Sequence, residues 1–130
     1  MKDLERLPDS EVVYCARRSR KCIDPDTEET SPEMYFLRLR DGKLEDGLSI
    51  CLGSKCIPDE CCKHFNKRYG VVSLKVGFIR SLGLDVVPDP LPNAPEHALI
   101  MNVPDPFNNP IKAEYIAGEL AKHSKLECDN

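Results

Sequence analysis

Hydrophobic positions in the first half of the chain come in short alternating runs. Glu11–Ala16 (EVVYCA) is rich in β-formers and predicts a strand. Tyr35–Arg40 (YFLRLR) sets Tyr35, Leu37 and Leu39 against Phe36, Arg38 and Arg40, the period of a half-buried strand with a solvated arginine face. Asp41-Gly42 and Asp46-Gly47 are turn signals, and LSICL between Gly47 and Gly53 suits another short strand. Pro58-Asp59-Glu60 reads as a helix start running through CCKHFNKR and stopping at Gly70.

The second half is patterned more clearly. Val71–Val76 predicts a strand, Gly77–Ser81 a single helical turn stopped by Gly83, and Leu84–Val87 a short strand. Residues 88–96 (PDPLPNAPE) hold four prolines. Proline fixes φ and lacks an amide donor, so this stretch is a stiff, extended connector. His97–Val103 predicts the next strand. Asn109 stands at a cap position before Pro110, and Ala113, Ile116, Ala117, Leu120 and Ala121 then form one apolar helical face ending near Ser124. Residues 1–10 read as a polar lead-in, 17–31 as a polar arm and 126–130 as a tail. With 130 residues the pattern describes a single domain of α+β class. It has a mixed or mainly antiparallel sheet and a C-terminal packing helix.

Composition narrows the functional classes. The net charge of −4 argues against a dedicated nucleic-acid binder. No apolar run is long enough to span a membrane, and the charged N-terminus lacks a signal-peptide core, so the expected compartment is the cytoplasm. The seven cysteines are an odd number, and reduced thiols are the expectation there. No nucleophile elbow, dinucleotide or phosphate-binding loop, or C-x-x-C pair occurs.

Three constellations remain. Cys51, Cys56, Cys61, Cys62 and His64 give C-x4-C-x4-C-C-x-H, whose soft and imidazole donors could hold zinc; the spacing lacks the tight C-x2-C pairs of zinc knuckles, and no cofactor is otherwise expected. Arg17, Arg18, Arg20 and Lys21 form a basic arm able to hold phosphate or an acidic partner, although the following acids Asp24, Asp26, Glu28 and Glu29 could neutralise it. His97 opens a strand after the proline-rich connector, with Asp89 and Arg80 as candidate catalytic companions.

The blocks FLRLRDGKLEDGLSI, VGFIRSLGLDV and NAPEHALI resemble a family of small bacterial proteins of unknown function. That resemblance implies a bacterial, stand-alone domain and transfers no activity; the segment Cys51–Cys62 lies outside it. The expected function is a non-enzymatic interaction module or small subunit of a larger complex, with a protein partner. The alternatives are a small enzyme acting on a nucleotide or nucleic acid, ADP-ribosyltransferase-like or a toxin nuclease, and a zinc-stabilised binding module.

Overall fold

A computed structural model describes residues 6–61 and 69–128. Its strands are β1 (Val12–Ala16), β2 (Leu39–Arg40), β3 (Lys43–Leu44), β4 (Leu48–Leu52), β5 (Val71–Lys75), β6 (Asp85–Pro88), β7 (His97–Met101) and β8 (Lys125–Cys128). The helices are α1 (Pro58–Cys61), α2 (Val76–Ser81) and α3 (Pro110–His123). Six strands form one sheet in the order β6-β7-β4-β1-β5-β8, and every pairing in it is antiparallel. β2 and β3 make a separate hairpin. The chain is therefore an α+β domain of the expected kind.

One face of the large sheet builds the core. Val13, Cys15, Ile50, Leu52, Val72, Leu74, Ala98 and Ile100 point to it and meet Ile116, Ala117 and Leu120 of α3. The apolar face read from the three- and four-residue spacing is the one that α3 buries. Asn109 occupies the N-cap position, but its side chain makes no capping hydrogen bond. Gly83 has φ +87, the left-handed conformation that ends α2 as the sequence implied. At Gly53 a Cβ would lie 2.7 Å from the Val12 carbonyl oxygen, so only glycine lets this segment run beside β1.

Three expectations are corrected. Pro32–Tyr35 forms a 3-10 turn rather than the start of a strand, and the strand character of 35–40 is confined to β2. Ser31 initiates the turn by accepting a hydrogen bond from the Glu33 amide, and Pro32 has the φ it needs. Tyr35 and Leu37 still go inside, but Leu39 is 55% exposed. The presumed tail 126–130 contributes β8, which closes the sheet edge against β5. The arm 17–31 is folded: Cys22 is buried, Ile23 bridges Thr30, and the Asp24 carboxylate accepts from the Asp26 and Thr27 amides in a tight turn. The proposed helix from Pro58 is described only as α1, and its continuation lies outside the described residues.

Tyr35 locks the 3-10 turn to the end of α3 through a 2.6 Å contact with the Ser124 hydroxyl. Burial pushes its phenol pKa well above the usual value. A pKa raised in the folded state gives stability that is complete below the unfolded value of about 10 and is lost as pH rises. Denaturant unfolding across the alkaline range should therefore show wild-type stability falling more steeply than that of Tyr35→Phe; parallel curves would contradict this assignment.

Candidate functional site

The arm borders a cavity of about 830 Å³ between Arg17, Arg20, Lys21, Ile23, Pro25 and Tyr69. β1 continues past Ala16: the Arg17 amide donates to the Gly70 carbonyl and the Tyr69 amide to that of Arg17. This ladder fixes the Arg17 side chain under the arm. The side chain is only 4% exposed; its Nε donates to the Tyr69 carbonyl at 2.8 Å and its Nη1 reaches the Glu28 carbonyl at 3.5 Å. Its hydrogen-bond acceptors are thus neutral, and among the described residues it has no ion pair with a carboxylate. A buried cation in that state is costly unless an anion completes the site.

Arg20 lies over the Tyr69 ring at 5.8 Å, a cation–π arrangement that holds the guanidinium at the cavity wall. Lys21 is exposed beside it. Asp24, Glu28 and Glu33 also line the cavity, so its charge is divided rather than uniformly positive. One Asp24 oxygen is committed to its turn. The result is a basic floor at Arg17 with acidic groups around it.

Arg18 points elsewhere. It lines a separate cavity of about 40 Å³ with Tyr35, Arg38 and Glu45, where burial, followed by repulsion from Arg38, lowers its pKa. The four basic residues singled out by sequence thus divide: Arg17, Arg20 and Lys21 share a site and Arg18 does not. Tyr69 and Ile23 complete the cavity and were not singled out. The apolar Cys22-Ile23 pair inside a polar run was the signal that the arm folds back.

The second constellation also divides. His97 is buried at the start of β7, and its Nδ1 lies 2.9 Å from the Asp89 carbonyl oxygen and 3.1 Å from the Asp89 carboxylate. Arg80 is at the far end of β6, bonded to Asp9 at 2.7 Å and to Asp85 at 2.9 Å. Register separates it from His97, because Asp85 opposes Met101 whereas Pro88 opposes Ala98. Arg80 is therefore a structural tie, not a companion of His97. Its guanidinium, hydrogen-bonded to Asp85, lowers the Asp85 pKa. That contribution to stability is present above the unfolded carboxylate value and is lost as pH falls. Asp85→Asn should lose stability at neutral pH and flatten the acid limb; an unchanged acid limb would contradict the tie.

His97 and Arg17 do not share a pocket. His97 opposes Cys51, which opposes Tyr14, and Arg17 follows three residues later. That places them about 10 Å apart along the strands and a further ~10 Å across them.

The cysteine constellation has a mixed state. Cys15, Cys22 and Cys51 carry thiols, whereas Cys56 is disulfide-bonded, contrary to the reduced state expected throughout. A disulfide sulfur is not a thiolate ligand for zinc. The Cys61 side chain and His64 lie outside the described residues. Among the described residues no group of three or more His, Cys, Asp or Glu side chains is placed to hold a metal, and no helix is long and apolar enough to cross a membrane. No protein-family model matches the chain, and no curated protein or solved structure is significantly similar to it.

Proposed function

We propose that this chain is a non-enzymatic interaction module whose arm cavity holds an acidic side-chain group of a protein partner. The observation that carries the reading is Arg17: a buried cation, held in position by carbonyls, in the wall of a cavity of ligand size. Arg20 and Lys21 extend the positive surface toward the mouth, and the acidic groups Glu28 and Glu33 select against a uniformly negative ligand. The partner segment is therefore one acidic group among neutral or basic neighbours. An enzyme acting on a nucleotide is supported less, because Arg17 and His97 are far apart and on different parts of the sheet.

The resemblance to small bacterial proteins supports a bacterial subunit of a larger complex, working in the cytoplasm. The thiols at Cys15, Cys22 and Cys51 fit that compartment. The Cys56 disulfide does not, and it sets a direct check. In lysate quenched with an alkylating agent, Cys56 should be found reduced if the chain works in a reducing compartment. Recovery as a stoichiometric disulfide would move it to an oxidising one.

The cavity itself is tested with fluorescent peptides that carry a single glutamate or phosphoserine flanked by neutral residues. Binding to the wild type should weaken at least about tenfold in an Arg20→Glu/Lys21→Glu variant, since both changes are on exposed positions and reverse the charge at the mouth. Equal binding by a glutamine control peptide would sink the proposal.

A further inference from the structure

A second cavity, of about 410 Å³, lies toward the other end of β1 from the arm, and the chain's own connections assemble it. β5 ends at Lys75 and runs straight into α2, which brings in Phe78 three residues later. α3 ends at His123 and gives way to β8 at Lys125. β5 and β8 pair antiparallel with Ser73 opposite Lys125, so these two corners meet at one end of the sheet. Phe78 and His123 stack there, with ring centroids 4.1 Å apart and planes inclined by 28°. Val12 and Tyr14 of β1, opposite Lys75 and Ser73, continue the wall. They alternate with Val13 and Cys15 of the core and so face away from it.

The polar groups of the cavity are few and differ in how they are held. The hydroxyl of Ser73, a residue only 7% exposed, donates to the Glu127 carboxylate at 2.7 Å and fixes it at the wall. His123 Nδ1 lies 3.0 Å from the Glu119 carbonyl oxygen, which can only accept, so the ring is anchored by its own helix. The Lys75 and Lys125 ammonium groups have no ion pair or hydrogen bond among the described residues. Two lysines and one glutamate leave one positive charge unmatched.

We infer that this cavity binds a small planar aromatic monocarboxylate. Its ring extends the Phe78–His123 stack and lies against Val12 and Tyr14, and its carboxylate is held by Lys75 and Lys125. The volume suits such a ligand, since small-molecule sites run roughly 300–1,000 Å³ and pair a mostly apolar lining with a few polar groups that fix orientation. Aromatic stacking adds to what area burial alone supplies. A second carboxylate on the ligand would meet Glu127, so the site selects a monoanion over a dianion. No residue is shared with the arm cavity, and the inference stands whether or not that cavity holds a partner.

The test is a titration of the full chain with cinnamate, followed by NMR through the Phe78 ring protons. Cinnamate should bind at least about tenfold more tightly than the neutral cinnamamide. Terephthalate, a dianion, and hexanoate, an acid without a ring, should both bind more weakly than cinnamate. Lys75→Gln/Lys125→Gln changes two exposed positions and should abolish the preference for cinnamate over cinnamamide. His123→Ala, also at an exposed position, should weaken both ring ligands by about fivefold. Arg20→Glu/Lys21→Glu should bind cinnamate as the wild type does, which separates this site from the arm cavity. The inference is overturned by absent cinnamate binding, by equal binding of cinnamamide or hexanoate, by a preference that survives loss of both lysines, or by loss of cinnamate binding in the arm variant.

Discussion

Leu120→Ala is expected to destabilise the domain by about 3 kcal/mol, because a fully enclosed leucine leaves a cavity that its neighbours cannot collapse into. Leu120 is in the middle of the apolar face of α3, between Ile116 and Ala121, and packs onto the strands that carry both sites. Leu39→Ala should change stability by less than about 0.5 kcal/mol, since Leu39 is 55% exposed in a hairpin outside the large sheet. Denaturant melts of the two variants discriminate the observed packing from the alternating strand that YFLRLR suggests. Equal losses would mean that Leu39 is buried as the alternation implied.

Arg17→Met has the second large effect, and it separates binding from stability. The substitution keeps most of the side-chain volume and removes a buried charge. A buried cation carries a desolvation cost that a methionine of similar volume does not. The lost bond to the Tyr69 carbonyl is worth about 1 kcal/mol, and the backbone ladder between Arg17 and residues 69 and 70 remains. Stability should therefore change by no more than about 1 kcal/mol in either direction. Binding of the acidic peptide should fall at least about thirtyfold, because a desolvated charge partner is worth 2 kcal/mol or more, and about 1.4 kcal/mol corresponds to tenfold.

The fold was legible where hydrophobic period and punctuation agreed. Val71–Lys75 and His97–Met101 are bounded by Gly70 and by the proline-rich connector, and both are strands. Asn109-Pro110 and the spacing from Ala113 to Ala121 located α3. Tyr35–Arg40 misled because two inward residues two apart, Tyr35 and Leu37, satisfy a strand pattern equally well when a 3-10 turn runs into extended chain. The terminal KLEC segment has too little apolar character to signal a strand, and β8 exists because β5 offers it an edge.

Site chemistry was legible where it was local. Asp89 and His97 are eight residues apart on neighbouring strands, and their pairing could be anticipated. Arg80 looked equally near in sequence, but the direction of β6 carries it to the other end. Lys75 and Lys125 share a cavity because β8 pairs with β5, a strand order that no local pattern encodes. Likewise Tyr69 reaches the arm cavity only because β5 pairs with β1 and the ladder runs on to Arg17.

The most direct test of the cavity assignment is a paired calorimetric titration of wild type and Arg17→Met with the single-glutamate peptide, with unfolding curves for both proteins. The expected result is heat of binding for the wild type only, and unfolding free energies within about 1 kcal/mol of each other. No binding by the wild type, together with a loss of several kcal/mol in Arg17→Met, would contradict the account and make Arg17 a structural tie between the arm and β5.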